Sequence, residues 1–435
     1  MENSADRSYR RIVNAWCMYD WANSAFATTI MAVVLPTFFS AVAGATLAPD
    51  PAQARVLATS YWGYTNSISM LLIAMAAPVL GAVADHSGAK KRLLTIFAGL
   101  GILATALLVL VSTGDWLAAA LLYIVGHIGF SGANIFYDAL LPHVAQRGDM
   151  DQISSRGYAM GYLGGGLLLA LNLAWIMQPR LFGLPNSEMA SRVSFLSVAI
   201  WWAVFSLPLL RHVPEPKAVL QPGESLNPFK GAFQRLGHTF REIRRYRELF
   251  KFLVAFWLYN DGIGTIITMA AIYGAELGIA QTHLIGTILM VQFVGVPFAL
   301  LFGWLAKRLG TKRSILLALA VYSLIAILGY FVTRAIHFWL LGFAVATVQG
   351  GSQALSRSLY GAMTPKAKSA EFFGFYDVSS KFAGIIGPAL FGFIGQAAGS
   401  NRYAILGIVP LFVIGGLLLL TVNERQGMAA AGEQP

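Results

Sequence analysis

Charged residues are scarce in this sequence. Asp, Glu, Lys and Arg make up 12% of its 435 residues, about half of the roughly 25% found in soluble domains. This scarcity excludes an ordinary water-soluble fold, because too few charged side chains remain to cover its surface. The net charge of +11 does not indicate nucleic-acid binding, because no soluble domain is left to carry a basic patch.

Cysteine and the short motifs of enzymes are also nearly absent. The single cysteine, Cys17, excludes a disulfide framework and a cysteine metal cluster. The sequence has no Gly-x4-Gly-Lys-Ser/Thr loop to hold phosphates, no His-Glu-x2-His and no Gly-x-Ser-x-Gly. We therefore predict that the protein is not an enzyme, uses no cofactor and is not driven directly by ATP.

Long apolar runs fill most of the chain instead. Apolar residues make up 57% of it, with a mean hydropathy of +0.63, and about 20 such residues suffice for a helix to cross a bilayer. The predicted spans are residues 12–40, 56–84, 92–113, 116–144, 155–178, 190–210, 250–274, 282–306, 313–333, 336–361, 370–398 and 402–422. The predicted fold is an all-α membrane protein with twelve transmembrane helices in two six-helix, pseudo-symmetric bundles.

Basic residues concentrate in every second loop, which predicts the orientation of the spans. Lys and Arg cluster before span 1 and between spans 2 and 3, 4 and 5, 8 and 9, and 10 and 11, whereas the alternate loops carry few. Because cytoplasmic loops hold an excess of these residues, both termini are predicted to be cytoplasmic. We expect an integral protein of the bacterial inner membrane.

A long connection between spans 6 and 7 divides the chain. Residues 1–210 are predicted to form the N-terminal bundle and residues 250–435 the C-terminal bundle. Residues 211–249 form a cytoplasmic linker with apolar and basic residues at helical spacing, as in an amphipathic helix on the inner leaflet. We interpret this linker as a structural strap rather than as a regulatory site.

The loops after spans 2 and 8 repeat one pattern. The pattern is a glycine, a charge four residues later and a second glycine three residues after that, at Gly81, Asp85 and Gly88 and at Gly303, Lys307 and Gly310. Parallel repeats of this kind are typical of transporters whose two bundles rock against each other.

The first of these loops resembles the signature that the major facilitator superfamily carries between its second and third helices. Gly81, Asp85, Gly88 and Lys90 match that signature, and the residue after Asp85 departs from it. In that superfamily the loop latches the two halves on the cytoplasmic side, so the resemblance implies gating roles for these residues. The alternative is a turn with lysines placed by the orientation rule. Arg357, towards the cytoplasmic end of span 10, is assigned to gating as well, or else it snorkels to the interface.

Six blocks resemble the vacuolar amino-acid effluxer family related to autophagy proteins, together with its bacterial members. The blocks are Tyr19–Phe26, Phe136–Pro142, Gly161–Gly166, Leu258–Gly262, Gln353–Ser358 and Glu371–Asp377. They span residues 19–377, so the resemblance extends over nearly the whole chain. The fungal members imply amino-acid efflux, although the bacterial branch could carry another solute. Asp138 departs from the Asn expected in its block, and its role is open.

Polar side chains from both halves are expected to converge near the middle of the membrane. In the superfamily that the chain resembles, spans 1, 4, 7 and 10 line a central cavity. The predicted substrate-binding residues are Tyr19, Asn23, His127, Tyr259, Asn260, Gln349, Gln353 and Lys381. The alternatives for these residues are interhelical hydrogen bonds or packed core positions.

Three carboxylates are predicted to couple protons to transport. Asp20 and Asp261 lie at similar depths in spans 1 and 7, where desolvation favours a protonated carboxyl. Asp377 lies one helical turn before Lys381, in an apolar stretch where a charge costs at least ~2.5–3.5 kcal/mol. Asp377 and Lys381 could instead form a self-satisfied ion pair.

The sequence therefore predicts a secondary active transporter of a small polar solute, an amino acid, driven by protons through alternating access. Its expected partners are the small-molecule substrate, protons and membrane lipid, with no nucleic acid, and it is expected to be a monomer. Two alternatives remain, an exporter of larger amphipathic compounds and a membrane receptor or scaffold without transport. The internal repeat argues against an intramembrane enzyme.

Overall fold

The computed structural model describes residues 4–432 apart from 147, 219–233, 235–244, 383–385 and 399–400, and in this part of the chain every regular element is a helix. The helices longer than ten residues are α1 (Ser4–Ala25), α2 (Pro51–Ser87), α3 (Lys90–Leu107), α4 (Trp116–Val144), α5 (Met150–Met177), α6 (Ser187–His212), α7 (Arg247–Glu276), α8 (Gln281–Leu309), α9 (Thr311–Gly329), α10 (Ala335–Ala362), α11 (Ser369–Phe382), α12 (Ile386–Ala398) and α13 (Val409–Leu420). The predicted all-α class is confirmed. The predicted amphipathic helix of the linker lies almost entirely outside the described residues.

The first span is longer and less regular than the sequence predicts. Beyond α1 the chain continues through two π-helical stretches, Phe26–Val33 and Phe39–Ala43, which enclose the short α-helix Val34–Phe38. In a π-helix each hydrogen bond spans one residue more than in an α-helix, so the side chains beyond Phe26 no longer follow the face of α1.

Ten of the described helical segments are long and apolar enough to cross a membrane. The predicted spans 10 and 11 correspond to α10 and to α11 with α12, which are not among the ten. Polar residues, among them Gln349, Ser352, Gln353, Ser356 and Arg357, lower the hydropathy of α10. The chain is thus an integral membrane protein, and the count of twelve spans stays a prediction.

The chain divides into two compact units. Unit 1 comprises Met1–Ala76, Ala89–Tyr137 and Met160–Glu215, and unit 2 comprises Ala77–Gly88, Asp138–Ala159 and Pro216–Pro435. The predicted boundaries of the two bundles and the linker stay a prediction.

In unit 1 the glycines of α5 allow a close approach to α1. A Cβ atom on Gly161 would lie 2.5 Å from Ser24 Oγ, and one on Gly164 would lie 2.6 Å from the Trp21 carbonyl oxygen. These glycines therefore form a close-packing face of α5 against α1. In unit 2, α8 packs along α10, and α13 packs along α7.

Candidate functional site

Two polar contacts join α1 to α4 in unit 1. The Tyr137 hydroxyl donates to Asp20 Oδ2 over 2.8 Å, and the Asn23 side-chain amide donates to Asn134 Oδ1 over 2.5 Å. Residues three apart share a helix face, so Asp20 and Asn23 present both contacts to α4 one above the other. The predicted coupling residue Asp20 and the predicted binding residue Asn23 thus lie at one site, and sequence reasoning missed Asn134.

Aromatic rings flank these two contacts. Trp16 stacks on Tyr137 with ring centroids 4.4 Å apart, and its indole N–H donates to the Tyr137 carbonyl oxygen over 3.1 Å. Tyr19 is fully buried 4.9 Å from the Tyr137 ring. On the other side of Asn23, Phe26 stacks on Phe130 at 5.0 Å. The polar groups therefore lie between apolar walls, where electrostatic interactions are stronger than in water.

A separate polar contact links α4 to α2. His127 Nδ1 lies 2.8 Å from Ser69 Oγ, and one turn away the Tyr123 hydroxyl donates to Asn66 Oδ1 over 2.7 Å. His127 is fully buried. Its side chain binds a serine of the neighbouring helix, which matches the packed core alternative as well as the predicted role in substrate binding.

The predicted binding residues of unit 2 lie on α7 and α10. The Tyr259 hydroxyl lies 2.6 Å from Ser356 Oγ, and both residues are buried. Asn260, Gln349 and Gln353 are half-buried. Lys381 belongs to α11, but its side chain lies outside the described residues.

Asp261 binds the start of a helix. Its Oδ2 accepts the backbone N–H of Gly387 over 2.8 Å, at the second residue of α12, and its own carbonyl accepts the Thr265 hydroxyl over 2.7 Å. A carboxylate near a helix N-terminus is stabilised by the partial positive charge there. Asp377 is half-buried on α11, and its predicted contact with Lys381 lies outside the described residues.

Asp85 binds the start of α11. Its two carboxylate oxygens accept the N–H groups of Ala370 and Glu371 over 3.2 and 2.7 Å. One turn earlier on α2, a Cβ atom on Gly81 would lie 2.1 Å from the Ala370 carbonyl oxygen, so only glycine allows this approach. Gly88 has φ +63°, in the left-handed region that glycine adopts without strain. The predicted gating residue Lys90 is buried at the start of α3.

Arg357 is buried, with 2% of its surface exposed, so it does not snorkel. Its guanidinium donates to Asp138 Oδ1 over 3.1 Å, to Ser154 Oγ over 2.9 Å and to the Ser154 carbonyl oxygen over 3.0 Å. It also lies 4.4 Å from the centre of the Tyr158 ring. One side chain of α10 therefore holds α4 and α5 together. Asp138, whose role the sequence left open, is the carboxylate of this contact.

Asp151 is a further carboxylate of this region that sequence reasoning missed. Oδ2 accepts the Thr311 hydroxyl over 2.8 Å, and Oδ1 accepts the Ser358 hydroxyl. Beside it, the Gln152 side-chain amide donates to the Gly303 carbonyl oxygen over 3.2 Å. Asp151 links the first turn of α5 to α9 and α10. Within the described residues, no group of three or more His, Cys, Asp or Glu side chains is arranged to hold a metal ion.

Comparison with known proteins relates these features to a family. The family model described as "Vacuole effluxer Atg22 like" matches residues 8–432. The MFS-type transporter YxiO of Bacillus subtilis (strain 168) is 38% identical over 423 residues, which are 97% of this chain and 97% of that protein. Autophagy-related protein 22-1 of Penicillium rubens is 24% identical over 459 residues, covering 86% of this chain and 77% of that protein.

Solved structures show the same fold at lower identity. The proton:xylose symporter XylE of the major facilitator superfamily superposes with a TM-score of 0.73 and 16% identity over 97% of each chain. The human organic anion transporter MFSD10 superposes with a TM-score of 0.69 and 14% identity over 94% of this chain and 99% of that one. The chain belongs to the Atg22-like vacuole effluxer family and is a transporter, not an enzyme, with the fold of the major facilitator superfamily.

Proposed function

We propose that this transporter is a secondary active carrier that moves a small polar solute, an amino acid, by alternating access with proton coupling. The observation that carries the proposal is the buried contact of Arg357 with Asp138 and Ser154. Arg357 belongs to the predicted C-terminal bundle, whereas Asp138 and Ser154 belong to the predicted N-terminal bundle. An opening between α10 and the pair α4–α5 has to break this contact.

The charges in the Arg357 contact suit a contact that opens during transport better than one that stays closed. A buried ion pair contributes little net stability, because desolvation of both charges offsets their attraction, and apolar residues of similar volume often stabilise a protein more. Charged groups have one advantage over apolar ones, because both partners regain hydration when the contact opens to water. This favours a contact that forms and breaks during the transport cycle over a scaffold that never opens.

The two polar contacts of α1 and α4 support the proposed solute and coupling. Asp20 accepts a hydrogen bond from the neutral Tyr137 hydroxyl, which can donate to a protonated carboxyl as well as to a carboxylate. Proton uptake therefore need not break this contact. Asn23 and Asn134 add neutral amides beside it. The family description as a vacuole effluxer supports movement of solute across a membrane. We propose that both termini lie on the cytoplasmic side.

The gate is tested by flux through protein reconstituted in liposomes. We expect Arg357→Gln to lower gradient-driven flux of a labelled amino-acid mixture by about tenfold or more, because breaking a buried pair costs roughly 3–5 kcal/mol. Arg402→Gln is the matched control, since Arg402 donates to the Tyr330 carbonyl oxygen elsewhere in unit 2. Flux equal to wild type in Arg357→Gln would overturn the proposed gating role of Arg357. If wild-type protein moves no amino acid, the proposed solute is wrong.

Proton coupling is tested by two further variants. Asp20→Asn and Asp261→Asn are expected to abolish accumulation driven by a pH gradient, while exchange of labelled for unlabelled solute persists in at least one of them. Expression and melting temperature check that both proteins fold. Accumulation with wild-type pH dependence in both variants would show that these carboxylates are structural.

A further inference from the structure

The pair Asn23–Asn134 offers hydrogen-bonding groups beyond the bond that it forms. Each side-chain amide has an acceptor oxygen and an NH2 group with two hydrogens. Within the described part of the chain, each of the two amides bonds only to the other. Amide oxygen and nitrogen are assigned from the hydrogen-bond network, but either orientation gives the same result. A single amide–amide bond always leaves one oxygen and one NH2 group for a ligand.

The surroundings of this pair restrict which ligand fits. Asp20 lies on the same face of α1 and adds a negative charge one turn away. Asn134 and Asp20 are both half-buried, so part of each residue is accessible, whereas Asn23 is buried. The aromatic residues Trp16 and Phe26 close it at the two ends, next to their partners on α4. A ligand of this site meets an acceptor, a donor and a carboxylate between apolar rings.

We infer that the pair Asn23–Asn134, together with Asp20, binds the head group of an α-amino acid. The ammonium donates to the free amide oxygen and to the Asp20 carboxylate, and the amide NH2 group donates to the α-carboxylate. This inference rests on the proposed function, because it specifies where the proposed solute binds. A bare carboxylic acid would face the charge of Asp20, a bare amine would leave the NH2 group unused, and a sugar has no ammonium for Asp20.

Binding to the purified full-length protein tests this arrangement with four probes. They are L-phenylalanine, its decarboxylated amine phenethylamine, its deaminated acid 3-phenylpropanoate, and D-xylose. Wild-type protein is expected to bind L-phenylalanine tightest. Asn134→Ala is expected to weaken binding of L-phenylalanine by about tenfold, which corresponds to about 1.4 kcal/mol. Binding of phenethylamine is expected to weaken much less. Asn134→Asp is expected to prefer phenethylamine to L-phenylalanine, since its charge repels the α-carboxylate.

Asn172 provides the matched control. It is a buried asparagine of unit 1 whose oxygen accepts the Thr29 hydroxyl and whose NH2 group donates to Ser197 Oγ. Asn172→Ala is expected to lower the melting temperature without changing the ratio of the L-phenylalanine and phenethylamine affinities. If Asn134→Ala does not fold, Asn134→Gln, which shifts the same amide by one methylene, is compared instead.

Each of the other outcomes overturns the inference. An unchanged affinity ratio in Asn134→Ala and Asn134→Asp would show that the pair only joins two helices. Binding of D-xylose alone would assign the site to a hydroxylated solute, and binding of none of the four probes would exclude this head group. Amino-acid flux in wild-type protein with an unchanged ratio in Asn134→Ala would overturn the inference and leave the proposed function intact. Absence of flux of any solute would overturn the proposed function itself.

Discussion

The two loops that repeat one sequence pattern both hold their second glycine at a positive φ. Gly88 and Gly310 have φ of +63° and +90°, so each loop turns through a conformation that residues with a side chain rarely adopt. Seven residues before these glycines, Gly81 contacts Ala370 and Gly303 contacts Ser155, each on another helix. The repeat therefore preserves the places where the backbone needs a glycine.

The same two loops differ in their charges. Asp85 is buried and binds two N–H groups at the start of α11, whereas Lys307, its counterpart in the repeat, is exposed. The carboxylate near the second loop is Asp151, which lies on α5 and binds the hydroxyls of Thr311 and Ser358. Only the first loop combines a buried charge with a helix N-terminus, so its contact is expected to be the stronger one.

The largest expected effect concerns the first glycine of each loop. Gly81→Ala should lower the free energy of unfolding by about 3 kcal/mol, the upper part of the usual range for overpacking, because the new Cβ meets the backbone oxygen of Ala370 at 2.1 Å. Gly303→Ala meets side-chain atoms of Ser155 at 2.8 Å and a backbone atom, the Asp151 oxygen, at 3.5 Å, so it should cost less. Gly63→Ala, with nothing within 4 Å, is the control, measured by thermal melting in detergent. Equal losses at Gly81 and Gly303 would contradict the comparison.

The next effect concerns the carboxylate that the first loop alone carries. Asp85→Ala should cost roughly 1–3 kcal/mol, the penalty of a buried polar group left without its partner, because two N–H groups of α11 lose their acceptor. Hydrogen–deuterium exchange should then rise at residues 369–376 and stay unchanged at residues 150–158. Faster exchange at both segments would show that the two loops are one cooperative unit rather than two separate contacts.

A smaller effect is expected at the second loop. Asp151→Asn should cost about 1 kcal/mol, typical of a single hydrogen bond, because the amide oxygen still accepts from one hydroxyl and the NH2 group can donate to the other. Melting temperatures of Asp151→Asn and Asp85→Asn, measured side by side, check the order. A larger loss at Asp151 would mean that the hydroxyl contacts of Thr311 and Ser358 hold α5 more firmly than the helix contact of Asp85 holds α11.

The smallest effect is expected at the exposed position of the second loop. Lys307→Ala should leave the melting temperature and the flux unchanged, since surface substitutions away from a specific contact have little effect. Lys307→Asp places a carboxylate in the second loop at the position that Asp85 occupies in the first. A clear stabilisation by Lys307→Asp would show that the second loop is also built to hold a carboxylate.

The sequence predicts those features whose structural role follows from the residue type alone, such as apolar spans and glycines in tight turns. The apolar runs of about 20 residues predicted the helices, because a bilayer leaves few alternatives. The glycine–charge–glycine pattern singled out Gly81, Asp85 and Gly88, whose gating role stays a prediction. The family resemblance implied the fold that the solved structures share. These signals are local, and each could be found within one segment of the chain.

The partners of the polar residues could not be predicted in the same way. The contacts Asn23–Asn134 and Asp138–Arg357 join residues that lie 111 and 219 positions apart, and their choice depends on how helices face each other. Asn134 lies among buried apolar neighbours on α4 and has no charge to mark it. Asp138 differs from the expected Asn, and the structure explains this difference because Asp138 forms an ion pair with Arg357.

The π-helical stretch Phe26–Val33 separates the polar contacts of α1 from the rest of the first span. If one of its turns converted to α-helical hydrogen bonding, the chain beyond it would rotate about its axis by the angle of one residue, about 100°. The first span therefore contains a stretch that can rotate one end of the span relative to the other while the span stays helical. A solute at the site proposed beside Asn23 would lie directly next to this stretch, and its arrival and departure would then be transmitted along the membrane normal as a twist as well as a tilt.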